Sequence, residues 1–274
     1  MMVQGAVLAA GRGTRLHPLT GYLPKPLVPL MGRPLIEYAL DALSVAGVKN
    51  IGINLYHLGD RIPPALTHRS ESLHFKMEEQ LLGTGAGLRG IVGTHPSSPV
   101  VAVNSDAVFD FPIRPALDAH VQSKAASTLL VRRVPRESPF ARIGIDADGR
   151  IHRIAELEGP QARQQPLVFA AYTGVQILEP SVMPYTSCEP SDILRTAHKH
   201  LLEIGEPIRA VFVPDHCSWV DVGSIDRYLE AHQLCLAGKL KVPGVPRPDH
   251  WGRRHGDGCT VGEGVTFEGP SMVG

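Results

Sequence analysis

Cysteine, aromatic side chains and net charge are all scarce in this sequence of 274 residues. The four cysteines show neither C-x-x-C spacing nor clustering, which argues against a zinc site and against a disulfide framework. Because 27 Lys and Arg residues balance 27 Asp and Glu residues, no overall field attracts nucleic acid or an anionic membrane. No apolar run approaches the roughly 18 residues of a membrane helix. We therefore expect a globular cytoplasmic protein whose partners include neither nucleic acid nor membrane.

Several common ligand-binding motifs are also absent. The Walker pattern Gly-Lys-Ser/Thr occurs nowhere, and the dinucleotide fingerprint would need a third glycine at position 16, where Leu16 stands. Although the chain has 13 histidines, no H-E-x-x-H metal motif occurs. A nicotinamide-dependent dehydrogenase is therefore a disfavoured alternative, and Arg15 in the glycine turn argues against it as well.

Residues 7–27 carry the main chemical signal. Val7 and Leu8 end an apolar run that predicts a buried strand. Gly11 and Gly13 then let the backbone turn sharply with no side chain in the way. Three cations lie in or near this turn: Arg12, Arg15 and Lys25. A glycine turn with outward amide groups and nearby cations is suited to binding phosphates. A strand followed by a glycine loop with solvated cations is the simpler alternative.

The same stretch resembles the signature of the sugar-1-phosphate nucleotidyltransferases, in which a G-x-G-T-R turn is followed by a P-K-P segment. Here the two parts read G-R-G-T-R at residues 11–15 and P-K-P at residues 24–26. The resemblance covers roughly residues 3–236 and implies a three-layer α/β/α Rossmann-like fold with a mixed, mostly parallel central sheet. It places Arg15 and Lys25 on the phosphates as catalytic residues. It also implies that the turn surrounds the nucleotide through Leu8, Ala10, Gly11, Gly13 and Thr14.

A second glycine turn, at residues 78–88, reads E-E-Q-L-L-G-T-G-A-G-L. By itself it could be any strand-to-helix connection, but it is similar to the family's nucleobase-binding element, which implies this role for Glu78, Gly83 and Thr84. A carboxylate only accepts hydrogen bonds, so it suits the two adjacent donors of guanine better than uracil, which relatives read with a glutamine. We therefore expect GTP as donor and mannose 1-phosphate as acceptor. The alternative that Glu78 is only a surface carboxylate stays open.

Two aspartates are candidate ligands of Mg²⁺. Asp106 follows the β-branched run 100–103, which predicts a central strand, and a carboxylate at a strand tip can bind a cation or cap the next turn. The sequence W-V-D-V-G-S at residues 219–224 matches the family's W-x-D-[IV]-G-[ST]. The resemblance thus makes Asp106 and Asp221 the magnesium ligands, while Ser224 is also suited to cap a helix.

The expected site for the second substrate is incomplete. The resemblance assigns sugar contacts to Gly144 in a hairpin at residues 143–154, to Glu156 and to Gly174. The family's E-K-P lysine, which contacts the sugar phosphate, is replaced by Leu157. Which arginine takes its place is left open among Arg142, Arg153 and Arg163. Because of this loss, a non-catalytic regulatory subunit that binds nucleotide is also an alternative, against which the two aspartates argue.

Periodicity predicts a helix beginning near Pro34, and strands at residues 49–55, 73–77, 127–134, 168–178 and 208–213. Ser191 is predicted to cap a helix that continues to about Glu203. Strands separated by helices predict a layered sheet with ligands at the carboxyl ends of its strands. We divide the chain into a nucleotidyltransferase domain, residues 1–238, and a proline-rich linker with a hexapeptide-repeat stub resembling a left-handed β-helix, residues 239–274. This stub could join copies of the chain in a homo-oligomer.

The resemblance implies a magnesium-dependent transfer of a nucleoside monophosphate from a nucleoside triphosphate to a sugar 1-phosphate, with release of pyrophosphate. The attacking phosphate monoester has a second pKa of about 6, so it is already an anion near pH 7 and needs no general base. Uridylyl or thymidylyl transfer to another sugar 1-phosphate, such as that of glucose or an N-acetyl amino sugar, is the alternative reaction.

Overall fold

Strand β1 (Gln4–Leu8) lies inside a mixed sheet in the computed structural model, which describes residues 2–242, 253–255 and 271–273. The later strands, in chain order, are β2 (Pro29–Leu30), β3 (Arg33–Pro34), β4 (Asn50–Leu55), β5 (Ser72–Met77), β6 (Val100–Asn104), β7 (Ala107–Phe109), β8 (Ser127–Arg133), β9 (Ile143–Ile145), β10 (Ile151–Ile154), β11 (Leu157–Glu158), β12 (Val168–Leu178), β13 (Ile208–Phe212), β14 (Trp219–Asp221), β15 (Arg253–His255) and β16 (Ser271–Val273). The α-helices are α1 (Leu19–Tyr22), α2 (Leu35–Val45), α3 (Ile62–Ala65), α4 (Gly83–Val92), α5 (Arg114–Ser123), α6 (Ala197–Ile204) and α7 (Ile225–Leu236). Short 3₁₀ turns occupy Thr14–Leu16, Lys25–Leu27, Gly59–Arg61 and Pro180–Tyr185.

The main sheet has the order β11-β10-β9-β12-β6-β1-β4-β5, with β8 pairing to β12 and to β13. Strands β6, β1, β4 and β5 are parallel, and their register aligns Leu8 with Asn54 and with Asn104. Strand β12 pairs antiparallel with β6, β8 and β9. The sheet is therefore mixed, as predicted, and its parallel part brings the carboxyl ends of β1, β4 and β6 to one edge.

Helices cover both faces of this sheet, which confirms the predicted α/β/α layering. One face packs against α2 and α5 through a core that includes Val7, Ile36, Leu40, Ile53, Val103 and Leu117. The other face packs against α4 and α6 through a core that includes Ala6, Leu88, Val100, Leu178 and Leu201. Because β1 is buried on both faces, the loop that follows it starts from a rigid support.

A third apolar cluster lies beneath α7. It joins the segment after Lys25 to β7 and β14, and it includes Val28, Leu35, Val108, Val220, Ala231, Leu240 and Val242. Strand β14 pairs antiparallel with β7, which places Asp221 opposite Ala107. As predicted, Ser224 caps α7, since its hydroxyl accepts a hydrogen bond from the Arg227 amide at 3.5 Å.

The predicted helix beginning at Ser191 is wrong at its start. Helix α6 begins only at Ala197, with Thr196 at its N-terminal cap. Ser191 instead uses its backbone and hydroxyl groups to bind the turn at the start of α4, with Ser191 N donating to Leu82 O at 2.8 Å. Local capping propensity was thus overruled by a tertiary contact.

The C-terminal stub lies largely outside the described residues. What the structure describes there is a short parallel pairing of β15 with β16. In the described part of the chain, no helix combines the length and apolarity needed to cross a membrane.

Candidate nucleotide-binding site

A cavity of about 490 Å³, here called the first cavity, opens at the carboxyl ends of β1, β4 and β6. Most residues predicted for nucleotide and phosphate binding line it: Leu8, Ala10, Gly11, Gly13, Thr14, Arg15, Lys25, Gly83, Thr84 and Asp106. The sequence interpretation missed several other lining residues: Ala9, Asn54, Leu81, Asn104, Ser105 and Gly223. Asn54 and Asn104 could have been found, because each is a polar residue at the carboxyl end of a predicted parallel strand.

Glycine is required at position 13 for two physical reasons. Its φ of 66° lies in the left-handed region, and a Cβ there would come within 2.8 Å of Thr20 Cγ2. Thr20 closes the turn by donating its hydroxyl hydrogen to Gly13 O at 2.9 Å. At Gly11, by contrast, a Cβ would meet nothing within 4 Å, because this residue faces the open cavity. The turn therefore exposes bare backbone to a ligand.

Lys25 and Asp106 form an ion pair at the edge of the first cavity. The Lys25 Nζ and an Asp106 carboxylate oxygen are 2.5 Å apart, and the Lys25 side chain is largely buried. This pairing holds the ammonium group in one position beside the glycine turn. Arg15 approaches from the other side, where a Cβ at Gly223 would come within 2.9 Å of its Nη2. Lys25 is thus held by its ion pair, and Arg15 lines the same cavity with its guanidinium next to Gly223.

Asp221 lies at the end of β14, opposite Ala107, the residue that follows Asp106. The Val222 amide donates to Asp106 O at 2.9 Å, which ties the two segments together. Burial, and next the negative charge of Asp106, raise the pKa of the Asp221 carboxyl above its usual value, while Lys25 and Arg15 oppose this rise. A further cation between the two carboxylates would relieve their repulsion.

These donors fit Mg²⁺, which binds proteins through one or two carboxylates and completes its shell with water and substrate phosphates. Among the described residues, no group of three or more His, Cys, Asp and Glu side chains could hold a metal by itself. Any metal at Asp106 and Asp221 would therefore depend on the phosphates of a bound substrate for further ligands.

Glu78 does not lie where the sequence interpretation expected it. The side chain is buried, is absent from the lining of the first cavity, and accepts hydrogen bonds from Asn54 Nδ2 at 2.7 Å and from the Leu82 amide at 3.0 Å. Both carboxylate oxygens are thus engaged by protein donors, so the expected pairing with a guanine base does not match this geometry. Local sequence does not reveal this orientation of Glu78, because its partner Asn54 lies 24 residues away in sequence.

The second glycine turn is held by the segment that contains Ser191. Gly85 N donates to Ser191 O at 2.8 Å, and the Ile193 amide donates to Thr84 Oγ1 at 2.9 Å. At Gly83, with a φ of 74°, a Cβ would lie only 2.5 Å from Ser191 O. Glycine is therefore needed at this position for the segment to approach so closely.

A smaller cavity of about 220 Å³, the second cavity, lies beyond that segment. Its lining includes Arg142, Glu156, Leu157, Tyr172, Asp192 and Arg195. Glu156 is held between two cations, 2.8 Å from Arg195 Nη2 and 3.4 Å from Arg142 Nη2. The Tyr172 hydroxyl is buried and has no hydrogen-bond partner within the described residues. This cavity therefore offers the guanidinium groups of Arg142 and Arg195 to a ligand.

The remaining residues expected to contact the sugar or its phosphate lie in different parts of the structure. Gly174 has a φ of 84°, and a Cβ there would lie 3.1 Å from Asn104 Nδ2, next to the first cavity. Gly144 is covered, since a Cβ there would come within 2.9 Å of Arg153 Cβ. Both Arg153 and Arg163 pair with Glu158, whereas Arg142 lines the second cavity.

The known proteins that this chain resembles include sugar-1-phosphate nucleotidyltransferases. The family model described as nucleotidyl transferase matches residues 4–238. A UTP–glucose-1-phosphate uridylyltransferase of Synechocystis sp. is 27% identical, over 99% of this chain and 78% of the relative. A mannose-1-phosphate guanyltransferase of Candida albicans is 30% identical, over 87% of this chain and 66% of its own length. The chain thus spans about two thirds of the guanyltransferase.

A solved structure supports the fold. The protein HddC of Yersinia pseudotuberculosis, crystallised in complex with GMP-PN, superposes with a TM-score of 0.68 at 20% identity. The match covers 85% of this chain and 99% of that protein. The α/β/α arrangement described above is therefore shared with a solved structure.

Proposed function

Because the chain belongs to the nucleotidyl transferase family, we propose that it transfers a nucleoside monophosphate from a nucleoside triphosphate to a sugar 1-phosphate and releases pyrophosphate. One observation carries the proposal: the glycine turn, Arg15, Lys25 and Asp106 line a single cavity, with Asp221 on the strand beside it. A regulatory subunit that only bound nucleotide would not need two adjacent carboxylates, one of them with a pKa raised by burial and by the charge of the other.

The reaction needs positioning and charge neutralisation more than proton transfer. The acceptor phosphate is an anion near pH 7, so it attacks the α-phosphorus without a general base. Lys25, held by Asp106, and Arg15, which lies next to Gly223, stabilise the negative charge that grows on the departing pyrophosphate. Mg²⁺ bound by Asp106 and Asp221 would supply further neutralisation of phosphate charge. The backbone of residues 10–14 orients the triphosphate.

The acceptor's phosphate belongs, in this proposal, beside Arg142 and Arg195. These two arginines flank Glu156 in the second cavity, and no other cation lines that cavity within the described residues. They would supply the positive charge that Leu157 lacks, while Glu156 accepts hydrogen bonds from sugar hydroxyls. Asp192 lines this cavity, and the adjacent Ile193 donates its amide hydrogen to Thr84 of the first cavity, so the proposed donor and acceptor sites share this segment.

For the base we propose guanine and for the sugar mannose. The relative from Candida albicans, named a mannose-1-phosphate guanyltransferase, supports this choice. Glu78 gives no support to guanine, because its carboxylate accepts hydrogen bonds from Asn54 and the Leu82 amide. The groups left to contact a base are the backbone and short side chains of Leu81, Gly83 and Thr84. UTP with glucose 1-phosphate is the alternative pair, after the relative from Synechocystis.

The test is a pyrophosphate-release assay that crosses five nucleoside triphosphates with a panel of sugar 1-phosphates. We expect the highest kcat/KM with GTP and mannose 1-phosphate, and no turnover when EDTA removes divalent metal. Highest turnover with UTP or dTTP would overturn the base assignment and leave the reaction standing. A panel without turnover, together with saturable nucleotide binding, would replace the proposed enzyme with a regulatory subunit.

A further inference from the structure

A buried chain of three hydrogen bonds connects the two glycine turns of the first cavity. The Ala9 amide donates to Asn54 Oδ1 at 2.7 Å, and Asn54 Nδ2 donates to Glu78 Oε1 at 2.7 Å. The Leu82 amide then donates to Glu78 Oε2 at 3.0 Å. Ala9 follows β1 at the start of the first turn, and Leu82 lies in the second turn, directly before α4. The side chains of Asn54 and Glu78 therefore span the sheet edge between them.

Both side chains are almost fully enclosed, with exposed fractions of 2% for Asn54 and 5% for Glu78. Helix α4 packs directly against both side chains at Gly87, where a Cβ would come within 2.6 Å of Asn54 Nδ2 and 2.9 Å of Glu78 Oε1. A buried carboxylate that accepted no hydrogen bonds would be costly, and here each oxygen has a protein donor. The glycine in the helix thus leaves room for the polar pair.

We propose that Asn54 and Glu78 are positioning residues that set the spacing between the two glycine turns, and so the fit of the nucleoside triphosphate. The inference rests on the proposed function. The donor and acceptor pattern allows only one arrangement: Asn54 must accept from Ala9 and donate to Glu78, and Glu78 must accept twice. A shift of about 1 Å between groups that bind one substrate can lower a rate by roughly 10².

The hydrogen-bond pattern predicts a specific rescue. In Glu78→Gln, the new amide nitrogen would face either Asn54 Nδ2 or the Leu82 amide, both of which are donors. In Asn54→Asp, the new carboxylate would face the Glu78 carboxylate. In the double variant Asn54→Asp with Glu78→Gln, every donor again meets an acceptor: position 54 accepts twice, and position 78 donates once and accepts once. The net charge of the pair is the same as in the wild type.

The experiment compares wild type, both single variants and the double variant, using the substrate pair with the highest turnover in the panel. For each single variant we expect kcat/KM for the triphosphate to fall by about 10 to 100-fold and the melting temperature to fall as well. The double variant should recover to within about threefold of wild type in both quantities. Asn50→Asp, at the exposed start of β4, and the exposed neighbour Glu79→Gln are matched controls and should match wild type.

Three outcomes would overturn the inference while leaving the proposed function intact. Single variants with wild-type kcat and KM would show that the pair positions nothing. Recovery of the melting temperature without recovery of kcat/KM would show a structural role, or direct contact of the Asn54 amide with substrate. Loss of turnover in Gly87→Ala smaller than threefold would show that disturbing the pair from α4 has no effect. An inactive wild type that also fails to bind Mg²⁺–GTP and Mg²⁺–UTP by calorimetry would instead overturn the proposed function, and the positioning role with it.

Discussion

Asp106 and Asp221 differ in their surroundings although both are proposed metal ligands. Asp106 has a partner in Lys25, whereas burial and the charge of Asp106 raise the pKa of Asp221. A carboxyl whose pKa is higher in the folded than in the unfolded state opposes folding at neutral pH. Without metal, therefore, the negative charge of Asp221 lowers the stability of the fold, whereas that of Asp106 stabilises the Lys25 ammonium group.

The first prediction is that Asp221→Asn and Asp106→Asn have opposite effects on stability and the same effect on turnover. Removing the charge of Asp221 should raise the melting temperature of the metal-free protein. Asp106→Asn removes the ion-pair partner of Lys25 and should cost on the order of 1–3 kcal/mol, reduced by the relief of Asp221, whose pKa the Asp106 charge raises. Both should lower kcat by a factor of about 10² or more. Thermal unfolding in EDTA and the pyrophosphate assay measure the two effects. Near wild-type turnover in either variant at saturating Mg²⁺ would remove that residue from the metal site.

The second prediction concerns Lys25 and Arg15. Lys25→Met and Arg15→Met should mainly lower kcat, by a factor on the order of 10² to 10³, because each cation meets charge that develops as pyrophosphate leaves. Lys49→Met, an exposed lysine before β4, is the control and should leave kinetics unchanged. A raised KM for the triphosphate with an unchanged kcat would mean that these cations bind only the ground state.

At the scale of elements, the segment before α6 holds the second glycine turn through buried contacts. His198, fully buried in α6, has Nδ1 3.2 Å from Ile193 O and Nε2 2.8 Å from Ser127 Oγ. Ile193 in turn donates its amide hydrogen to Thr84 Oγ1. Burial lowers the pKa of His198 to about 4. The imidazole is therefore neutral in the folded protein at neutral pH.

The third prediction is a loss of stability in acid that belongs to His198. Below its ordinary pKa of about 6.5, the unfolded chain gains a proton on this histidine that the folded chain does not gain until about pH 4. The free energy of unfolding should therefore fall across this window, by at most roughly 3 kcal/mol from this group. Urea unfolding at a series of pH values should show a shallower fall in His198→Gln than in wild type. An equally shallow fall in His200→Gln would mean that burial is not the cause.

At the scale of the whole molecule, the third apolar cluster extends beyond the predicted domain boundary. Leu240 and Val242 are buried in it, and two polar contacts reinforce the junction. Ser218 Oγ donates to Lys239 O at 3.0 Å, and the Lys241 amide donates to Asp110 Oδ2 at 3.0 Å. The chain as far as residue 242 is thus tied to the strand pair that carries Asp221.

The fourth prediction compares two truncated chains. Residues 1–242 should fold and keep their nucleotide site, because every contact described for the first cavity lies within them. Residues 1–238 should be less stable by roughly 3–6 kcal/mol, since they lose the burial of one leucine and one valine at about 1.5–3 kcal/mol each. Chemical denaturation of both chains measures the difference. Equal stability would show that residues 239–242 contribute nothing to the cluster.

Much of this architecture could be predicted from local sequence pattern. The apolar run before Gly11 and Gly13, the β-branched run before Asp106 and the cap at Ser224 each depend on neighbours within a few residues, and each was found where expected. Parallel strands carry their following loops to one sheet edge, so gathering these motifs in one cavity also follows from their order.

Tertiary structure alone decided which way certain side chains face. Whether Glu78 points to a ligand or to Asn54, and whether Ser191 caps a helix or binds the turn at Gly85, depends on groups 24 and more than 100 residues away in sequence. A buried polar group binds the partner that the packed chain brings to it, because leaving it unsatisfied costs more than giving up a local preference. The sequence by itself therefore determined which motifs form the candidate site, and the fold determined which of their side chains line the first cavity and which bond to other parts of the protein.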